Sequence, residues 1–132
     1  MNNDSVMRDL IDGRNRRNQR ERAKTQLTLG KFIKILETLP SDMEIDGLHM
    51  PHSYRGYYID LAFEKMDRKQ TVEEILFMCR KCLGEIFEGY KGGDSGMTKN
   101  TPIWRAFYGR GGERILNIDV NTGELTLSED DT

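Results

Sequence analysis

Long apolar runs are absent from the chain, and no segment approaches the roughly 18 apolar residues that a membrane-spanning helix needs. Residues 1–25 also lack the apolar stretch of a secretory signal peptide. Apolar residues form 36% of the 132-residue sequence, enough for one modest core, and charged residues form 32%. We therefore expect one soluble domain that stays in the cytoplasm and does not associate with a membrane.

Cysteine and histidine are scarce, with two of each. Cys79 and Cys82 in CRKC, together with His49 and His52 in HMPH, formally make up one Cys2His2 zinc set. The two cysteines, however, fall within the apolar stripe of a predicted helix, where buried thiols behave as small hydrophobic side chains. We therefore expect no metal site, no cofactor and no disulfide framework.

Recognisable catalytic motifs are also missing. The sequence contains no serine or cysteine nucleophile motif, no Walker loop and no histidine-glutamate metallohydrolase motif. His49 and His52 are candidates for acid and base in an enzyme that cleaves a nucleotide, but a three-residue spacing in a loop fixes no geometry. The sequence thus favours a binding protein over an enzyme, with nucleotide cleavage left as an alternative.

The net charge of −2 is unevenly distributed. Residues 1–25 carry seven basic side chains against four acidic ones, a net charge of +3, which leaves −5 for the rest of the chain. An acidic body argues against broad nucleic-acid binding by the fold, because that affinity comes mainly from phosphate neutralisation. The segment RNRRNQRERAK keeps one alternative open, a small nucleic-acid-associated or nuclease-inhibiting phage protein that uses its basic N-terminus.

Apolar periodicity predicts two main helices. The first spans TLGKFIKILETLP, with Thr28 as its N-cap and Pro40 at its end. The second begins at the capping box TVEE, where Thr71 is the cap, and its apolar stripe continues to Ile86. That stripe is broad, which suggests burial against both the sheet and a partner subunit.

Alternating patterns predict the strands. DMEIDG forms a short strand, Gly47 and Pro51 interrupt it, and from Tyr57 to Phe63 every second side chain is assigned to one sheet face. TPIWRAFYG alternates again, and ERILNIDV, NTG and ELTL form a hairpin in which Gly123 supplies a positive φ. The glycine-rich segment FEGYKGGDSGMTKN is predicted as a loop.

These elements predict an α+β fold, with a mainly antiparallel sheet packed against two main helices. Residues 26–127 form the single ligand-binding domain in this prediction. Residues 1–25 form a basic N-terminal extension that is helical or disordered, and residues 128–132 form an acidic tail.

Three segments combine aromatic, cationic and glycine residues: SYRGYY, FEGYKGG and NTPIWRAFYGRGG. Aromatic faces stack on bases, cationic side chains meet phosphates, and glycine lets backbone amides approach an anion. Part of this set has a structural explanation, because Trp104 and Phe107 suit a core and GYKGG suits a turn. The candidate ligand-binding residues are Arg55, Phe87, Tyr90, Lys91, Gly92, Asn100, Thr101 and Arg110.

The combination of PHSYRGYYIDLAF, a helix, FEGYKGG and NTPIWRAFYG resembles a group of small phage proteins, the anti-Thoeris signal sponges. The similarity runs from about Thr28 to Val120. Proteins of that family sequester cyclic ADP-ribose isomers made by bacterial TIR-domain defence enzymes, and they do not cleave them. The resemblance implies a non-enzymatic role in the bacterial host cytoplasm during infection, with cyclic oligonucleotides as further ligands of some relatives.

The resemblance also implies a homo-oligomer, either a dimer or an assembly of dimers, with pockets near the subunit contacts. By position, Phe87 would stack on adenine, and Arg55 and Arg110 would each hold a pyrophosphate oxygen. Asn100 and Thr101 would read polar edges of the ligand.

Overall fold

The computed structural model describes residues 18–54, 57, 59–88, 94–106 and 112–129. Its helices are α1 (18–25 in the described part), α2 (Leu29–Glu37) and α3 (Val72–Cys82). Its strands are β1 (Glu44–Ile45), β2 (Leu48–Ser53), β3 (Leu61–Lys65), β4 (Gln70–Thr71), β5 (Ile86–Glu88), β6 (Asp94–Gly96), β7 (Ile103–Ala106), β8 (Gly112–Ile118) and β9 (Leu125–Glu129). The predicted α+β fold with a mainly antiparallel sheet is confirmed.

The main sheet has five strands in the order β2-β3-β7-β8-β9. Three of the four neighbouring pairs are antiparallel, whereas β3 and β7 at the centre are parallel and align Leu61 with Ile103. A parallel pair needs a long crossover, and here it runs from residue 66 to residue 102 and contains α3. Two small ladders, β1-β4 and β5-β6, lie outside this sheet.

Both main helices cover one face of the sheet. Their caps follow the sequence: Thr28 Oγ1 accepts from Lys31 N at 3.3 Å, and Thr71 Oγ1 accepts from Glu74 N at 3.2 Å. Every second residue of the central strands meets the helices, so one core forms between the layers. Its buried members from the helices and the five-stranded sheet are Leu29, Phe32, Ile33, Leu36, Leu48, Leu61, Phe63, Val72, Ile75, Cys79, Cys82, Ile103, Ile115, Ile118 and Leu125.

Helix α3 is shorter than its apolar stripe predicts. It ends at Cys82, and Gly84 follows with a φ of +79°. Ile86, predicted as part of the buried stripe, lies in β5 with 67% of its surface exposed. β5 pairs with β6 across the segment that was predicted as a loop, and this prediction was also wrong. The chain leaves helical geometry at Leu83, which has a ψ of 122°, and Leu83 and Gly84 form a type II turn in which Glu85 N donates to the Cys82 carbonyl at 3.1 Å.

Strand β2 continues through Pro51, which was predicted to interrupt it. The strand lies at the edge of the sheet, where a proline without an N–H group is tolerated. Its pairing with β3 shifts register between His49 and His52, and Met50 has a φ of 48°. The β-bulge therefore accommodates Pro51 within the strand.

The prediction that Tyr57 shares a face with Leu61 and Phe63 was wrong. Tyr57 packs with Tyr54, Ala62 and Trp104 on the opposite face. β3 begins only at Leu61, and the Asp60 N–H donates to the Tyr57 carbonyl at 2.8 Å in the preceding turn. Because this turn interrupts the strand geometry, the two-residue period does not extend back to Tyr57.

The segment joining α1 to α2 lies between the first residue of β7 and the middle of β8. Leu27 N donates to the Ile115 carbonyl at 2.8 Å, and Leu27 O accepts from Ile103 N at 3.1 Å. The buried Gln26 amide donates to the Ile103 carbonyl at 3.0 Å. This segment fixes the end of α1 and the start of α2 relative to the sheet.

The β8-β9 hairpin forms as predicted, and Gly123 at its turn has a φ of +79°. A Cβ atom at Gly123 would meet the Glu44 carbonyl, whereas a Cβ at Gly84, which has the same φ, would meet no atom within 4 Å. A side chain at Gly84 would therefore meet backbone strain alone, whereas a side chain at Gly123 would meet both backbone strain and steric crowding.

Gly84→Ala is expected to lower the free energy of unfolding by about 1–2 kcal/mol, the cost of a left-handed alanine. Gly123→Ala is expected to cost a further ~1–3 kcal/mol, because the added methyl group also displaces β1. Urea unfolding followed by circular dichroism measures both values. Equal losses in the two variants would contradict the crowding at Gly123.

Candidate anion-binding groove

The Asp60 carboxylate is fully buried and accepts hydrogen bonds from three side chains of other elements. Arg22 donates through Nε to Oδ2 at 2.6 Å and through a terminal nitrogen to Oδ1 at 2.9 Å. The Trp104 indole nitrogen donates to Oδ2 at 2.9 Å, and the Gln19 amide donates to Oδ1 at 3.2 Å. The buried negative charge is thus paired and its oxygens are satisfied.

Aromatic rings surround this carboxylate. The Tyr54 and Trp104 rings stack with centroids 4.2 Å apart, and both residues are buried. The Arg22 guanidinium lies 3.9 Å from the centroid of the Tyr57 ring. Arg22 therefore makes an ion pair and a cation–π contact together, which fixes α1 over the second face of the sheet.

A groove of about 480 Å³ lies between α1, the N-terminal half of α2 and the turn 98–101. It is lined by Gln19, Arg20, Ala23, Thr28, Gly30, Lys31, Lys34, Lys99 and Asn100. Four of these nine residues are cationic and none is acidic. The groove is therefore a local site of positive charge in a chain whose net charge is −2.

The four cationic side chains are exposed, and within the described residues none of them takes part in an ion pair. They come from three separate places: Arg20 from α1, Lys31 and Lys34 from α2, and Lys99 from the turn. Cations that converge from different elements without a carboxylate among them favour binding of an anion such as a phosphate.

The backbone N–H groups of Leu29 and Gly30 at the start of α2 are not available to an anion in the groove. Leu29 N donates to the Thr101 carbonyl at 2.8 Å, and Gly30 N donates to the Lys99 carbonyl at 2.9 Å. A Cβ atom at Gly30 would lie 2.6 Å from Lys99 Cβ, so glycine allows the turn to pack this closely. Because these N–H groups are occupied, an anion in the groove would be held by side chains.

Two of the eight predicted ligand residues lie at or beside this groove. Asn100 is exposed and lines it. Thr101 is 1% exposed, and its hydroxyl accepts from Thr98 N at 2.9 Å, which shapes the turn that carries Lys99 and Asn100. Its role as a direct ligand residue stays a prediction.

Phe87 lies in β5, where its backbone pairs with Ser95, five residues beyond the end of α3. The other predicted ligand residues, Arg55, Tyr90, Lys91, Gly92 and Arg110, lie outside the described residues. Their ligand roles, like that of Phe87, stay predictions.

Sequence reasoning missed Arg20, Lys31, Lys34 and Lys99. Lys31 and Lys34 are one helical turn apart on the polar side of α2, and this spacing was the available signal. Nothing in the sequence pattern places Arg20 or Lys99 beside them, because the buried segment at Leu27 sets that contact.

A second cavity of about 530 Å³ lies between α2 and α3. Phe77 lines it with 66% of its surface exposed, and Arg80 and Glu37 form an ion pair of 2.8 Å beside it. The α3 surface thus carries an exposed aromatic side chain in the region where the sequence predicted a partner subunit.

The histidine and cysteine pairs lie in different elements. His52 is part of β2, and its Nε2 lies 3.2 Å from Glu64 Oε1. Cys79 and Cys82 are buried in α3 as predicted. Among the described residues, no three histidine, cysteine, aspartate or glutamate side chains cluster closely enough to hold a metal ion. None of the described helices has the length and apolar character to cross a membrane.

Comparison with protein-family models, with curated proteins and with solved structures finds no match. The candidate site therefore stands on the geometry described above.

Both thiols are expected to be unreactive in the folded protein. Burial, and secondarily Glu85, raises the pKa of Cys82 to about 11, and burial raises the pKa of Cys79 further above its ordinary value of 9.0. Both folded pKa values exceed the unfolded ones. The contribution of the protonated thiols to the free energy of unfolding is therefore complete below pH 9 and is lost as the pH rises toward 11. At pH 8, a disulfide dye should label neither thiol in buffer and both in urea; rapid labelling in buffer would contradict the burial.

Proposed function

We propose that this chain is a non-enzymatic phage immune-evasion protein that binds and sequesters a cyclic nucleotide-type defence signal, a cyclic ADP-ribose isomer. The observation that carries the proposal is the cationic groove, in which Arg20, Lys31, Lys34 and Lys99 converge beside Asn100. The sequence resemblance supplies the identity of the ligand. The site of action is the host cytoplasm.

The groove suits the pyrophosphate of such a ligand. Each phosphate carries a negative charge, and the groove offers four cations and no carboxylate among its lining residues. Asn100 adds an amide that can donate to a ribose hydroxyl or accept from an adenine amino group. The volume of about 480 Å³ falls within the range of small-molecule sites.

The proposal includes a homo-oligomer, a dimer or an assembly of dimers. The groove is open to solvent on one side, and a second subunit would enclose a ligand that one small chain covers only in part. The exposed Phe77 on α3 supports the existence of a contact surface. Cyclic oligonucleotides belong to the proposal as further ligands.

A second candidate function, nucleic-acid binding through the basic N-terminus, is favoured by one observation. Arg20, which belongs to the basic extension, forms part of the groove wall. The two functions differ in ligand length, because a backbone binder should prefer a DNA duplex over a single nucleotide.

The protein should bind a cyclic ADP-ribose isomer and release it chemically intact after heat denaturation, as judged by chromatography of the recovered ligand. The double variant Lys31→Ala, Lys34→Ala should lower the affinity by about tenfold or more, because two charge-assisted phosphate contacts are lost. Isothermal titration calorimetry measures the affinity.

The matched control is Lys69→Ala, which removes an exposed lysine from a different cavity and should leave the affinity unchanged. Recovery of a converted nucleotide would show an enzyme instead. DNA binding that is stronger than nucleotide binding, falls steeply with salt and disappears without residues 1–25 would favour the second candidate function.

Phe87→Ala and Arg110→Ala are each expected to abolish capture of the cyclic ADP-ribose isomer while the protein stays folded. The first variant removes the predicted adenine stacking, worth about 1–3 kcal/mol for a base on an aromatic ring, and the second removes a predicted phosphate contact. Val120→Ala, which truncates an exposed apolar side chain outside the groove lining, serves as the control in a ligand-depletion assay. Unchanged capture by both variants would show that the base lies elsewhere.

A further inference from the structure

Helix α1 supplies one wall of the groove, but residues 18–25 include no buried apolar side chain. A helix normally stays in place by burying an apolar face. α1 is held instead by polar contacts, since Arg22 and Gln19 both donate to the Asp60 carboxylate. The Gln19 amide also donates to the Ile59 carbonyl at 3.0 Å.

Asp60 itself does not line the groove. Its two donors on α1 lie on either side of Arg20 in sequence, and Gln19 is itself part of the groove lining. The carboxylate is fully buried in the turn just before β3 and is also held by the Trp104 indole of β7, so its position is fixed by the sheet. The orientation of α1 therefore depends on a group that never meets the ligand.

We propose that Asp60 is a positioning residue of the anion-binding groove: through Arg22 and Gln19 it fixes α1 so that Arg20 faces the phosphates of the bound ligand. This inference rests on the proposed function, because it assumes that the groove binds a phosphorylated nucleotide. The expected effect of the Asp60 carboxylate on ligand affinity has an unusual sign. Removing a negative charge near a phosphate site normally strengthens binding, whereas loss of this carboxylate weakens it by releasing the helix.

The test is a double-mutant cycle with a purified cyclic ADP-ribose isomer as the probe, measured by calorimetry. Arg20→Ala removes one phosphate-facing cation and should lower the affinity by about tenfold. Asp60→Asn should lower it by a similar factor, although it removes no cation. The combined variant should lose no more than either single variant, because both remove the same Arg20 contact.

Glu64→Gln is the matched control, since it neutralises a partly exposed carboxylate of the adjoining strand β3 that lies beside His52 and outside the groove lining. Its affinity should equal that of the unmodified protein. Circular dichroism and a cooperative urea-unfolding transition report that each variant is folded.

If Asp60→Asn does not fold, the double variant Asp60→Asn, Arg22→Met replaces it, because removing both charges avoids an unpaired buried arginine. The affinity of this double variant, with and without Arg20→Ala, is then compared in the same way. Unchanged or increased affinity on loss of Asp60, or losses that add to that of Arg20→Ala, would overturn the positioning role alone. Absence of binding by the unmodified protein would overturn the proposed function and this inference with it.

Discussion

A buried carboxylate must be compensated inside the protein, and at Asp60 that requirement determines much of the surrounding structure. The group is fully buried, and its compensation comes from an arginine on α1, an indole on β7 and an amide on α1. Leaving such a charge unpaired costs several kcal/mol. α1 and β7 are consequently held at one position relative to Asp60, and the aromatic rings of Tyr54, Tyr57 and Trp104 then fill the space around the ion pair. The polar cluster thus anchors residues 18–25 of α1, which include no buried apolar side chain.

The two faces of the central strands carry different kinds of packing, and the segment at Leu27 connects them. On one face α2 and α3 form an apolar core, and on the other the Asp60 cluster holds α1. Leu27 exchanges backbone hydrogen bonds with Ile103 of β7 and Ile115 of β8, so the end of α1 and the start of α2 are fixed relative to these two strands. The turn 98–101 is bound to the start of α2 through the Lys99 and Thr101 carbonyls. These contacts bring the four groove cations together.

Local signals in the sequence predicted the elements that depend on local chemistry. The caps Thr28 and Thr71 and the turn at Gly123 lie as predicted, because each follows from one side chain or one φ value. The face of Tyr57 and the strand through Pro51 were predicted wrongly, since a turn and an edge bulge interrupt the two-residue period. Of the groove, the sequence indicated Asn100 but none of the cations. Their convergence depends on contacts between residues far apart in the chain, which periodicity does not encode.

The charge distribution favours a compact anion over an extended one. Residues 26–132 carry a net charge of −5 even though they include three of the four groove cations. Charges on the surface act over about 8 Å at physiological ionic strength. A pyrophosphate placed in the groove would meet the four lining cations, whereas a long polyanion would also extend over a body of net negative charge. The proposed small phosphorylated ligand therefore agrees with the charge distribution of residues 26–132 better than nucleic acid does.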